Sequence, residues 1–392
     1  MMRLLIVASL CGVLGCQKAS EAVKSGAGSA AKQGKPRGPS VQRSNAAAVY
    51  TLPPSERVFC LDIDGDGTDE ALGAQGSELW AYDLGQKAAV KLWSSTGKGV
   101  VHRIVAAEEQ GQFYLYLARG IGRGPALNAP LSLSRVLASK GTVFQLWEHA
   151  GVRNEPAHLS LVENAGQPIL AFAHYVDKYH VGTRHMSPNG AAVVTEFSVD
   201  RMRMASSWAL GDINGDNKTD VAIGRVYGDA KGLPGDLKLK LHGGDFMTVK
   251  TDRGVRGLVF ARDGKGGRTL FVADGWHSNY GKMAKAQLKT VEWTPSGPKL
   301  ESVGRSPKEF TFFELWARDV DGDGQDEVVA RGNSHVSIFS RGRDGKWTRT
   351  EAAEFEPVMN VAFCRGADGH WRTLIPNNNG TRTTLFEGIA KQ

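Results

Sequence analysis

The sequence predicts an all-β chain: a seven-bladed β-propeller with four-stranded blades, the last blade closed by an N-terminal strand. Three observations lead there. A nine-residue phrase recurs in one register as Asp62-Ile63-Asp64-Gly65-Asp66-Gly67-Thr68-Asp69-Glu70, Asp212-Ile213-Asn214-Gly215-Asp216-Asn217-Lys218-Thr219-Asp220 and Asp319-Val320-Asp321-Gly322-Asp323-Gly324-Gln325-Asp326-Glu327. Each copy is followed by a short apolar run, such as Val221-Ala222-Ile223, that ends in glycine or a polar turn and is too short for a helix. The copies lie 150 and 107 residues apart, so a unit of about 50 residues leaves two silent copies in the first gap and one in the second.

The silent copies can be found. Val105 to Leu117, Leu159 to Phe172 and Leu258 to Val272 each read apolar strand, polar glycine-containing loop, apolar strand, and Val361 to Ile375 repeats the pattern after the third phrase. That makes seven units. The sixth shows its strands best, at Glu327 to Ala330, Val336 to Ser340 and Lys346 to Glu351, whereas the seventh runs out one strand short after Thr383 to Phe386. Ala47 to Leu52, ahead of the first unit, is one strand too many. It is therefore expected to complete the final blade as its outer strand, leaving no open sheet edge at the seam.

Oxygen ligands at positions 1, 3 and 5 with a carboxylate at position 9 suit one hard cation, read as calcium, and Gly or Asn at 4 and 6 permits the tight turn. The expected ligand sets are Asp62, Asp64, Asp66, Thr68 and Glu70, then Asp212, Asn214, Asp216, Lys218 and Asp220, then Asp319, Asp321, Asp323, Gln325 and Glu327. Position 7 contributes only a backbone carbonyl, which lets Thr68, Lys218 and Gln325 differ. Up to three structural calcium ions are expected. The second loop, with three carboxylates, should bind most weakly. An EF-hand is excluded, because its bidentate glutamate stands at position 12, here Gly73, Ile223 or Ala330.

These loops resemble those of the FG-GAP/VCBS repeat family, as in the calcium-binding blades of integrin alpha subunits. The resemblance implies that each loop joins the first and second strands of a blade, and that the loop between strands two and three opens on the opposite face. Those second loops are long in units two to five and carry Arg119 and Arg123, His174, Tyr175, Tyr179 and His185, Arg225 and Tyr227, and Trp276, His277 and Tyr280. Aromatic rings with cationic neighbours suit a glycan or a protein segment. The alternative is that they are long surface loops whose aromatics cover their own blades.

The N-terminus has the layout of an export signal, with Arg3 followed by the apolar stretch Leu4 to Leu14. That stretch is well short of the roughly 20 residues a spanning helix needs. Val13-Leu14-Gly15-Cys16 resembles a bacterial lipobox, which implies lipidation of Cys16, residues 1–15 as signal, 16–46 as a tether and 47–392 as the propeller. By the same resemblance, Gln17 after the lipid-bearing cysteine suggests the outer membrane, so a lipid-anchored envelope protein is expected. The formal charge of +7 lies mostly in Arg3 and the tether, through Lys18, Lys24, Lys32, Lys35, Arg37 and Arg43 against Glu21. A pI near 9.1 therefore does not argue for nucleic acid, and the lipid anchor is the expected membrane contact.

Cys60 and Cys364 remain for the mature fold, near the ends of the first strands of units one and seven, neighbours in a closed ring. Outside the cytoplasm such a pair forms either a disulfide across the seam or two buried apolar thiols. No nucleophile elbow, phosphate-cradling glycine loop or Cys-His pairing is present. The expected function is a binding or scaffolding module. The alternatives are a polysaccharide-acting enzyme, using the His, Tyr, Arg and Lys of the mouth, and a purely structural envelope protein.

Overall fold

In the computed structural model, the described residues are 51–387 without 53, 84–87, 95–98, 121–130, 150–155, 165–166, 177–179, 192–201, 229–233, 264–266, 276–285, 307–311, 333–334, 343, 355–359, 367 and 377–382. The expected signal and tether, with Cys16, lie outside them. Among the described residues the strands pair into seven antiparallel four-stranded sheets, the blades of a β-propeller.

Six blades are continuous in sequence. They are Arg57–Leu61, Glu70–Gln75, Glu78–Asp83 and Ala88–Ser94 (β2 to β5); Val100–Glu109, Gln112–Gly120, Leu131–Leu137 and Val143–His149 (β6 to β9); and Pro156–Asn164, Gln167–Tyr175, His180–Met186 and Met202–Arg203 (β10 to β13). Then come Ala205–Gly211, Asp220–Arg225, Asp236–Lys240 and Phe246–Lys250 (β14 to β17); Val255–Arg262, Arg268–Asp274, Gln287–Thr294 and Gly297–Arg305 (β18 to β21); and Glu314–Arg318, Glu327–Arg331, His335–Arg341 and Trp347–Glu354 (β22 to β25). The seventh is built from both ends of the propeller. Ala362–Arg365, Trp371–Pro376 and Thr383–Glu387 (β26 to β28) are completed on the outside by Thr51–Leu52 (β1), with Thr51 opposite Thr384 and Leu52 opposite Thr383.

Sequence pattern follows depth within a blade. The second strands of blades four and six, Asp220–Arg225 and Glu327–Arg331, are buried at every position, which is why they read as near-continuous apolar runs. Outer strands keep one face in solvent; in Phe246–Lys250 only Val249 is buried. A four-stranded blade exposes two apolar faces, so it can bury them only against its neighbours.

The core is accordingly divided among the blade interfaces. Leu72, Leu79 and Trp93 of blade one pack with Val101, Leu115 and Leu117 of blade two. Tyr116 and Leu133 then meet Phe172, and Ala173 and Val181 meet Trp208 and Ile223. Leu237 and Leu239 meet Val255 and Val272, and Phe271 and Leu288 meet Phe312 and Phe339. Val329 and Ile338 meet Phe363 and Trp371, and the circuit returns through Leu52, Cys364 and Leu374 against Val58, Cys60 and Tyr82. Each fully buried Leu, Val or Phe contributes about 1.5–3 kcal/mol of transfer free energy, so every interface is substantial by itself.

The interface between blades seven and one carries extra fastenings. Cys60 and Cys364 form a disulfide with Cα atoms 5.0 Å apart. The Val58 amide donates to Asn360 Oδ1 at 2.6 Å. The disulfide joins residues 304 positions apart, and a cross-link of that span removes denatured-chain entropy worth about 6 kcal/mol in the chain-entropy account.

Blades two to five share a further irregularity. Their innermost strands bulge near the end away from the Asp-rich loops, between Val101 and Arg103, Pro156 and His158, Ala205 and Ser207, and Val255 and Gly257. The residues paired at the near edge of each bulge are Arg119, His174, Arg225 and Asp274, all buried.

Candidate functional site

The three Asp-rich phrases connect the first and second strands of blades one, four and six. In each, the carboxylate at position 1 organises the turn by accepting backbone amides. Asp62 takes Gly65 at 2.6 Å and Gly67 at 3.0 Å, Asp212 takes Gly215 and Asn217, both at 2.7 Å, and Asp319 takes Gly322 at 2.7 Å and Gly324 at 3.0 Å. Such bonds require the left-handed backbone at positions 4 and 6. Gly65 and Gly67 both have φ +82°, and in the second loop Asn217 takes +62° without a glycine's freedom.

The carboxylate at position 9 reaches back to the amide of position 2. Glu70 accepts Ile63 at 2.9 Å, Asp220 accepts Ile213 at 2.8 Å and Glu327 accepts Val320 at 2.7 Å. Carboxylate oxygens of Asp62, Asp64 and Asp66 lie within 4.8 Å of one another, as do those of Asp319, Asp321 and Glu327. Among the described residues the second loop forms no such carboxylate group. Its Asp220 spends the remaining oxygen on the His242 amide at 2.8 Å, and Asn214 Nδ2 donates to Asp216 at 3.3 Å. An all-oxygen donor set of this kind fits a hard cation.

Electrostatics agree with that fit. Burial, reinforced by the neighbouring aspartates and only partly offset by the Ile63 amide, pushes Glu70 up to about 7. The same causes act on Glu327, with Val320 as donor, and it too rises to about 7. Burial also raises Asp220. Carboxylates gathered this closely repel unless a proton or a cation sits among them.

Two residues that the sequence reading passed over tie these loops to the preceding blade. Asp69 donates its amide to the Arg365 carbonyl at 2.8 Å and accepts the Arg365 amide on Oδ2 at 2.8 Å. Asp326 repeats the arrangement with Arg262, at 3.1 and 2.8 Å, and adds the guanidinium at 2.7 Å. The signal was present as Asp at position 8 in the first and third phrases, where the second has Thr219.

The candidate ligand residues on the other face are placed differently from expectation. Arg119 is buried, bonds Ser132 Oγ through Nε at 3.2 Å and lies 5.0 Å from the Trp93 ring of blade one. His174 is buried among Trp147, His149 and Phe172, and burial pulls it down to about 4. Arg225 is clamped by Asp236 through two bonds of 2.6 Å. Arg119 and His174 therefore pack across blade interfaces, and Arg225 ties two strands of blade four together, instead of facing a ligand. The reason is that strands two extend past the apolar run as far as Gly120, Tyr175 and Arg225. Tyr175 is half-buried against the interface of blades three and four, His185 is buried on the third strand of blade three, and Tyr227 bridges to Pro234. Arg123, Tyr179, Trp276, His277 and Tyr280 lie outside the described residues.

All seven innermost strands line one central channel of about 390 Å³. Its wall mixes apolar side chains with Arg103, His158, Arg256, Glu314 and Arg318.

No protein-family model and no curated protein matches the sequence. The fold is similar to a chain in the crystal structure of the mitotic checkpoint complex, with TM-score 0.53 and 12% identity over 94% of this chain and 100% of that one. It is likewise similar to a chain in the structure of BBS1N in complex with ARL6DN, with TM-score 0.55 and 11% identity over 88% and 96%. At such identities the likeness is one of fold alone.

Proposed function

We propose that the chain is a calcium-braced seven-bladed propeller of the FG-GAP/VCBS type, anchored in a bacterial envelope through Cys16, that serves as a binding or scaffolding module for a glycan or protein. The observation that carries the calcium reading is the convergence of carboxylate oxygens at the same strand junction in blades one and six. Asp62, Asp64, Asp66 and Glu70 would hold one ion and Asp319, Asp321, Asp323 and Glu327 another, each by oxygen ligands that neutralise the crowded carboxylates. The second loop, with Asp220 doubly engaged, is the weakest of the three.

The binding reading is supported by the segments between the second and third strands of blades two, four and five, which run from Gly120 to Leu131, Arg225 to Asp236 and Asp274 to Gln287. With Arg119, His174 and Arg225 inside the blades, the side chains left to meet a partner are Arg123, Tyr179, Tyr227, Trp276, His277 and Tyr280. A glycan and peptide array probed with the mature propeller in calcium tests this. Specific binding that is lost on combined substitution of Trp276, His277 and Tyr280 is expected; an array without any specific signal rejects the reading. Lipidation is tested by the mass of the mature N-terminus and by release of Cys16→Ala from the membrane fraction.

A further inference from the structure

We propose that blade three is an acid-sensitive element of the ring, one that parts from blades two and four at mildly acidic pH while the other blade interfaces stay closed. This device depends on neither the calcium nor the ligand reading.

Placement is the first argument. His158, His174 and His185 stand on β10, β11 and β12, three consecutive strands of one blade. His174 faces blade two, its ring centre 5.2 Å from that of Trp147 and 6.0 Å from that of His149. His158 and His185 face blade four, where with Trp208, Leu210 and Val221 they line a cavity of about 10 Å³. Both interfaces of the blade thus contain imidazole. His174 and His185 are each 7% exposed, and His158 Nε2 is enclosed without a partner in the protein.

Surroundings are the second. A cavity of that size admits at most one water, so an imidazolium there could not keep a hydration shell. No carboxylate lines it among the described residues, and the nearest charge acting on His158 is Arg103 of blade two, which opposes protonation. The charged or titratable groups facing His174 are Arg184 and His149, which oppose it too; the Tyr175 carbonyl at 3.4 Å is its one favourable contact for a proton. Burial lowers His174 and His185 to about 4, and with Arg103 it lowers His158 as well. Opening the interfaces returns each ring to its ordinary value near 6.5, so the closed form is favoured above pH 6.5 and loses that advantage as pH falls toward 4. His335 of blade six, buried likewise, has Glu351 Oε2 3.9 Å from its Nε2 to receive a charge.

Weak fastening completes the case. The outer strand of blade three, Met202–Arg203, has two residues and pairs opposite His180 and Val181 alone. Blade seven also ends in a two-residue outer strand, but the Cys60–Cys364 disulfide secures it to blade one. Elements held by few hydrogen bonds open below the cost of global unfolding, so a proton-driven bias appears there first.

The test is hydrogen exchange read by mass spectrometry on the purified full chain at pH 7 and pH 5, expressed as protection factors corrected for the intrinsic rate. A shift from about 6.5 to about 4 makes the opened form about twentyfold more favourable per histidine over that interval. Protection of β10 to β12 should therefore fall at least twentyfold, with less than a threefold fall in blades five and seven. His174→Phe or His185→Gln should each remove about one twentyfold factor, and the double variant should keep most of its protection at pH 5. Unchanged protection in β10 to β12, an equal loss in blades five and seven, or a double variant as acid-sensitive as the parent would overturn the proposal. Should the variants fail to fold, NMR titration of carbon-13-labelled histidine in the parent decides: His174 and His185 rings that titrate near 6.5 in the closed protein would overturn it, and rings that take up protons only as the β10 to β12 amides lose protection would support it.

Discussion

The two ends of the blades handle buried charge in opposite ways. At the end carrying the Asp-rich loops, carboxylates are gathered with backbone amides as their main internal partners, and Glu70 and Glu327 are driven toward the protonated form. At the other end the charges are matched within the protein. Arg225 is paired with Asp236 and Arg331 with Glu314, and Lys289 bonds both Asp252 and Asp274 at 2.8 and 2.6 Å. Burial works against the Lys289 charge, yet these bonds hold its ammonium above the ordinary lysine range. On the proposed reading an external cation would complete the first end, whereas the charges named at the other are neutralised by residues from neighbouring strands.

The largest test of that contrast is calcium removal. Each occupied loop should add about 2.7 kcal/mol at free calcium a hundredfold above its dissociation constant, so chelation should lower the melting temperature by several degrees. Glu327→Ala should diminish this response more than Asp220→Ala. An identical melting curve in calcium and in chelator would remove the ion from the first end. Next in size is the seam: replacing Cys60 and Cys364 together by alanine should cost about 2–5 kcal/mol, read as a lower denaturation midpoint that reductant no longer alters.

Asp326→Asn probes the clasp between blades five and six and should cost about 1–2 kcal/mol, through loss of the charge-assisted contact with Arg262. The pH dependence separates the two ends directly. Without cation, the raised Glu70 and Glu327 contribute stability that is present below pH 4.5 and lost as pH rises toward 7. The lowered His174 and His185, at about 4, contribute stability that is present above pH 6.5 and lost as pH falls toward 4. Calcium cancels only the first slope, so the calcium-induced gain in melting temperature should grow between pH 5 and 7.5. A gain independent of pH would contradict this account. The smallest effect is expected for Asn217→Gly, which relieves a positive φ and should stabilise the second loop by at most about 1 kcal/mol.

How much of this was legible in the sequence follows from the range of the interactions involved. The Asp-rich loops and the repeat are local patterns; Asp62 meets Gly65 and Gly67 within one turn, and the strand alternation of each unit spans a few residues. The extra strand at the N-terminus was legible because the seventh unit lacked one. The buried polar ends of the second strands were not legible. Arg225 in a segment rich in Gly and Tyr looks like a surface residue until Asp236, on the next strand, is folded against it. The bulges that set those ends back into the blade leave no local mark, since their consequence is a shift in cross-strand register. Channel residues such as His158 and Arg256 likewise come together only when separate blades close around one axis.

The composite seventh blade also has a mechanical consequence. Tension entering from the N-terminal side arrives first at Thr51–Leu52, a two-residue strand whose one sheet partner among the described residues is β28 and whose Leu52 packs at the seam. It would peel before any other part of the ring. Unravelling would then stop at Cys60, whose bond to Cys364 carries the tension directly into the innermost strand of the same blade. The propeller thus has a short yielding element followed by a covalent stop, so a pull on its leading end is absorbed at the seam before the blade interfaces bear it.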